Sequence, residues 1–134
     1  MVVLVVMGLI IAMVPVAFRQ VMPGLELQAA AREVAAAFRQ ARSTAIRTNT
    51  EAFVHLDVDA RTYQLGDDQP EQALGSGLEL ELVAAASEQI DESQGRVRFF
   101  PDGTSTGGRL TLTRNERKYY VVVDWLTGRV QLVD

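Results

Sequence analysis

Few side chains in this sequence have the types and spacing that chemistry needs. The single histidine, His55, stands mid-strand between Val54 and Leu56. A catalytic histidine works with a nucleophile and an orienting partner, and no motif around His55 supplies either. It reads as an outward-facing strand residue beside Phe53 and Asp57. There is no cysteine, so thiolate chemistry and disulfides are excluded, and histidine–cysteine metal binding fails on count. Asp67-Asp68 and Asp102 could offer oxygen ligands to calcium, but neither has the spaced acidic pattern of an EF-hand loop. Asp67-Asp68 reads as a solvated turn. The stretch Pro101-Asp102-Gly103-Thr104-Ser105-Thr106-Gly107-Gly108 is glycine-rich. A phosphate-cradling loop requires Gly-Lys-Ser/Thr opening a helix, and here no lysine occurs and strands flank both sides. Pro-Asp-Gly is turn chemistry instead, because proline presets φ and glycine accepts φ > 0. The residues lead to no enzyme, no cofactor and no metal site.

A third class of chemistry would be nucleic-acid binding by Arg32, Arg39, Arg42 and Arg47. The chain carries a net charge of −4 with a pI near 5.0, which argues against neutralising phosphates. Glu33 further dilutes the basic run, so a solvated helix face is expected and no nucleic acid.

The elements that carry these residues begin with Met1 to Phe18, which contain no charge, no amide and no serine. As a helix this run spans about 27 Å at 1.5 Å per residue, slightly short of a hydrocarbon core about 30 Å thick. A secretory signal would need a basic start and a small-residue cleavage site, and Val21-Met22-Pro23 is a poor one. A soluble core helix would show a polar face. Residues 1–22 therefore read as a single transmembrane helix. Gly8 and Pro15 interrupt it, which fits either packing against other helices or a plain kinked anchor.

Beyond Pro23-Gly24 the period becomes helical. Leu27, Ala31, Val34, Phe38, Ala41 and Ala45 recur at spacings of four and three, making residues 23–48 an amphipathic helix whose stripe packs on the C-terminal domain. After Asn49 the period shifts to two. Strands are expected at 52–58, 61–65, 78–82, around 97–99, around 110–112, at 119–125 and at 129–133. Residues 66–77 and 84–95 read as loops. The fold class is α+β: a long N-terminal helix, then an antiparallel β-domain of about seven strands over 49–134.

The opening MVVLVVMGLIIAMVPVAF, with Gly8 and Pro15, resembles the N-terminal helix of type IV pilins and type II secretion pseudopilins. The family's basic leader, its Phe-Thr-Leu-x-Glu start and that glutamate have no counterpart here, so the resemblance places them upstream of Met1. The C-terminal third is more specific. Phe99-Phe100-Pro101-Asp102-Gly103-Thr104-Ser105-Thr106-Gly107-Gly108-Arg109-Leu110 and Val123-Asp124-Trp125-Leu126-Thr127-Gly128-Arg129-Val130 are similar to the H-type minor pseudopilins of type II secretion, whose domain class the FimT-type minor pilins share.

The resemblance implies a type IV pilin-like fold and a structural role. The chain is then held in the bacterial inner membrane as a single-pass protein with its β-domain in the periplasm. It assembles with other minor and major pseudopilins through the N-terminal helix, at the tip of a short pseudopilus that drives folded proteins across the outer membrane. Processing of the upstream leader by a prepilin peptidase, and methylation, come with the same resemblance. An uncharged helix can exchange lipid for neighbouring helices at small cost. The residues singled out are Gly8 and Pro15 for assembly, and Leu27, Val34 and Phe38 for helix-to-domain packing. Pro101, Asp102, Gly103, Gly107, Gly108, Trp125, Thr127, Gly128 and Arg129 shape the motif loops. The alternatives are a FimT-like minor pilin acting in pilus assembly or DNA uptake, which a basic tail would favour, and a membrane-anchored periplasmic enzyme, for which no constellation exists.

Overall fold

The computed structural model describes residues 23–75 and 77–134, with helix side chains from Glu26 onward. The apolar run 1–22, with Gly8 and Pro15, lies outside the described residues. Among the described residues no helix is long and apolar enough to cross a membrane.

Helix α1 spans Pro23–Thr48. Glu26 in the first turn and Arg47 in the last complement the helix dipole. Glu26 also holds Arg114 at 2.6 Å. The helix stops at Asn49, whose φ of 57° is left-handed. Thr50 N–H then returns to the Ala45 carbonyl at 3.3 Å, the six-to-one bond of a Schellman cap.

The stripe Leu27, Ala31, Val34, Phe38, Ala41 and Ala45 is entirely buried, together with Ala30, Ala35 and Ala37. Alanine on this face lets the helix sit close to the strands. Phe38 fills the centre, its ring centroid 6.3 Å from that of Phe99.

Among the described residues eight strands follow, against the expected seven or so, and they form two sheets. They are β1 (Ala52–Asp57), β2 (Thr62–Leu65), β3 (Gln72–Ala73), β4 (Glu79–Ala84), β5 (Gln94–Phe99), β6 (Gly108–Arg114), β7 (Arg117–Val123) and β8 (Val130–Val133). The first sheet has the order β3-β2-β1-β5 and the second β4-β6-β7-β8. Every pairing is antiparallel. Helix α1 packs on β1, β2 and β5 of the first sheet and on β6, β7 and β8 of the second. One apolar stripe thereby serves two sheets, and the core lies where Val54, Leu56, Val97 and Phe99 meet Leu110, Leu112 and Val121 beneath it.

Three expectations are corrected. The stretch 66–77 is not all loop: Gln72 and Ala73 pair with Tyr63 and Thr62, fastened by Leu74 N–H to the Arg61 carbonyl at 2.8 Å. The stretch 84–95 contains a short 3-10 turn, Ala86–Glu88, and the start of β5. Strand β7 begins two residues earlier and ends at Val123, because the Asp124 carboxylate accepts from Leu126 N–H and turns the chain. The β1–β2 connection matches expectation, with the Asp57 carboxylate accepting from the Asp59 and Ala60 N–H groups at 3.1 and 3.0 Å.

The outer face of β1 and β5 is polar. His55 meets the Gln94 amide oxygen at 3.1 Å, and Phe53 lies under Arg96 and Arg98 at 5.0 and 5.3 Å. Arg98 is bonded to Glu88 at 3.0 Å and Glu51 at 3.3 Å. The hydrogen bond to Glu88, more than any other cause, raises the Arg98 guanidinium above its ordinary pKa. Among the described residues no nucleophile is hydrogen-bonded to His55.

Candidate assembly surface

The two C-terminal motif stretches fold into two turns that meet over helix α1. In the first, Gly103 N–H bonds the Phe100 carbonyl and Phe100 N–H bonds the Thr104 carbonyl, both at 2.9 Å. The Asp102 carboxylate accepts from the Thr104 hydroxyl at 2.6 Å and the Thr104 N–H at 3.0 Å. Those two bonds, the hydroxyl first, hold its carboxyl below the usual range. Pro101 opens the turn and Gly103 completes it at φ 90°, the geometry that Pro-Asp-Gly favours.

Ser105 is buried and ties this loop down. Its hydroxyl donates to the Arg98 carbonyl at 2.8 Å and accepts from Gly107 N–H at 3.0 Å. Its own N–H reaches the Trp125 carbonyl at 2.9 Å, joining the first turn to the second. Gly107 packs against Trp125, and Gly108 starts β6 beside Val97 and the Val83 carbonyl.

In the second turn, Asp124 N–H bonds the Arg129 carbonyl at 2.9 Å and Gly128 N–H bonds the Asp124 carbonyl at 2.8 Å. The Asp124 carboxylate accepts from Leu126 N–H at 2.8 Å. The Thr127 hydroxyl accepts from Arg129 N–H at 3.2 Å. This turn pushes Trp125 and Leu126 outward, 66% and 60% exposed.

Helix α1 supplies the third side. Arg42 Nε donates to the Gly103 carbonyl at 3.2 Å, and Arg39 Nη2 donates to the Val130 carbonyl at 3.3 Å. Gly128, at φ 69°, lies flat against both: a Cβ there would collide with the Gly103 carbonyl and stand 2.9 Å from Arg42 Nε. Gly103 and Gly128 thus leave the space that the Arg42 guanidinium occupies. Arg39, Arg42, Thr127, Gly128, Arg129 and Val130 line an open cavity of about 580 Å³. Ile46, 46% exposed, borders Gly103 from the helix.

The helix arginines are therefore not a uniformly solvated face. Arg32, Arg39 and Arg47 are exposed and Arg42 is half-buried; Arg39 and Arg42 donate to loop carbonyls, and Glu33 accepts the Tyr63 hydroxyl at 2.7 Å. Burial first, then that bond to Glu33, raises the Tyr63 phenol above its ordinary range. One signal for Arg42 was present. It lies four residues beyond Phe38, about 40° round the helix, at the edge of the apolar stripe.

The remaining candidate residues are dispersed. Leu27, Val34 and Phe38 sit under the sheets, away from the turns. Asp67 and Asp68 border a separate cavity of about 470 Å³ between α1 and the β2–β3 loop. Among the described residues no three acidic or histidine side chains converge to hold a metal ion.

The arrangement has known counterparts. Residues 30–128 match the family model described as Type II transport protein GspH. Type II secretion system protein H of Xanthomonas campestris pv. campestris is 34% identical over 108 residues, covering 81% of this chain and 63% of that protein. The chain thus spans less than two thirds of the length of that relative. The minor pseudopilin EpsH of Vibrio cholerae superposes with a TM-score of 0.63 at 16% identity, over 81% of this chain and 96% of that one. The type IV minor pilin FimU of Pseudomonas aeruginosa gives 0.62 at 17% identity, over 81% and 89%. At those identities the structures speak for the fold, which is type IV pilin-like.

Proposed function

The chain belongs to the GspH family of type II transport proteins, and from that membership we propose that it is a structural minor pseudopilin of a type II secretion pseudopilus. Its contribution is to tip assembly and to the export of folded proteins across the outer membrane. The observation that carries this reading is the 34% identity, over 81% of the chain, to a protein named for that system. The role is structural, with no catalytic step performed by this chain.

In this reading residues 1–22 anchor the protein in the inner membrane as a single pass and assemble with other pseudopilins, with Gly8 and Pro15 at the helix contacts. A prepilin peptidase removes a leader upstream. Residues 23–48 form the stem that couples this anchor to a periplasmic β-domain, residues 49–134. The buried stripe on α1 supports such a coupling, since a force on the helix passes directly into both sheets.

The second reading is a FimT-like minor pilin of a type IV pilus. The near-equal fit of FimU and EpsH favours it as much as the first on fold alone, because the two assemblies share one subunit architecture. A gene deletion separates them. Trapping of extracellular hydrolases in the periplasm, with twitching and DNA uptake intact, is the expected result. Normal secretion with lost motility or uptake would assign the chain to the pilus instead.

A further inference from the structure

The cavity between α1 and the 124–129 turn is lined by three arginines, Arg39, Arg42 and Arg129. Like charges held together are costly unless an anion answers them. Yet this acidic chain, with 17 carboxylate side chains against 13 basic ones, forms no ion pair with any of the three among the described residues. Two of them are also fixed in place. Arg42 is bonded through Nε to Gly103 and Arg39 through Nη2 to Val130, which leaves further N–H donors on each for another acceptor.

We propose that this cavity is a socket for a carboxylate side chain of a neighbouring pilin-like subunit; the identity of that neighbour as a pseudopilus component rests on the proposed function. A guanidinium presents its donors as a planar fork that matches a carboxylate edge-on. Two pre-positioned forks and a third on Arg129 can close around one such group. Beside the socket stand Trp125, Leu126 and Ile46, all exposed. Tryptophan and arginine dominate the energetics of subunit contacts, so the patch offers a charged centre with an apolar flank.

A nucleic acid fits less well. Polyphosphate binding draws on an extended set of basic groups, whereas this cavity is lined by only three. The exposed Asp102 and Asp124, in the two turns that meet there, repel a polyanion while leaving room for a single carboxylate.

The test is an NMR titration of the full chain in detergent micelles, at low salt, with an N-acetylated, C-amidated Ala-Glu-Ala peptide, which carries one carboxylate, as probe. The Nε–H signals of Arg39, Arg42 and Arg129 and the amide of Gly128 are expected to shift saturably. Arg129→Gln should weaken the apparent affinity about tenfold, the loss of one charge-assisted contact, whereas Arg117→Gln should leave it unchanged. Absence of shifts at these groups, or equal binding by Arg129→Gln, overturns the proposal. So does a duplex oligonucleotide or inorganic phosphate that shifts them at lower concentration than the peptide. In cells Arg129→Glu, with its circular dichroism unchanged, should reproduce the defect that the gene deletion shows; wild-type behaviour would equally overturn the proposal. Whether that phenotype is secretion or piliation is decided by the deletion itself, so an error in the functional reading leaves the titration result standing.

Discussion

Gly128→Ala probes the meeting of helix and turns most directly. Two costs add. The backbone is left-handed at φ 69°, and an alanine there pays about 1–2 kcal/mol. Its Cβ also meets the Gly103 carbonyl and Arg42 Nε, so the Arg42–Gly103 hydrogen bond must break or the turns must part. A charge-assisted bond at a half-buried site is worth about 1.5 kcal/mol, giving a total near 3 kcal/mol. For a domain of this size that lowers Tm by roughly 10–15 °C. Gly77 provides the internal control, because it too is left-handed, at φ 80°, but a Cβ there meets nothing within 4 Å. Gly77→Ala should therefore lose only the backbone part, about 1–2 kcal/mol. Urea denaturation followed by circular dichroism measures both variants. Equal losses would refute the reasoning, since the contact between glycine, carbonyl and guanidinium would then contribute nothing.

Other substitutions test the frame around that contact. Phe38→Ala empties the centre of the core against Phe99 and should cost about 3–5 kcal/mol, read as a lower urea midpoint. Asn49→Gly, at a left-handed cap, should hold or slightly raise stability, whereas Asn49→Ala should lower it by about 1 kcal/mol; identical melting curves would remove the cap from the account. The Asp102 carboxyl is depressed by its bonds to Thr104, so its contribution is present above the ordinary carboxylate range and disappears as pH falls through the folded value. Asp102→Asn should flatten the acid limb of the stability–pH curve, and an unchanged limb would show that the turn carries no such linkage.

How much of this was legible in the sequence depended on distance along the chain. The α1 stripe could be read because its six apolar positions recur at helical spacing, and β7 because Tyr119 to Val123 is aromatic and β-branched. The two turns could be read from Pro101-Asp102-Gly103 and Thr127-Gly128. Strand β3 could not, since Gln72-Ala73 has no alternation and is held by main-chain bonds alone. The end of β7 was misread because Asp124-Trp125 continues a β-prone run, while the Asp124 carboxylate caps a turn. The partition of strands into two sheets depends on pairings such as Ala52 with Phe99, which no local pattern encodes. Arg39 and Arg42 were least legible of all, for their acceptors lie 91 and 61 residues away.

That separation has a consequence in time. Helix α1 is synthesised before every strand that covers it, and part of its cover, β8, comes last among the described elements. At elongation rates of about 5–20 residues per second the 91 residues from Arg39 to Val130 take about 5–18 s to append. Throughout that interval the apolar stripe has only part of its partner surface. A chain broken off before Val130 keeps a helix with an open side, a ready target for chaperones and proteases. Arrival of β8 thus doubles as a check on length, passed only by chains that extend far enough to close the stem.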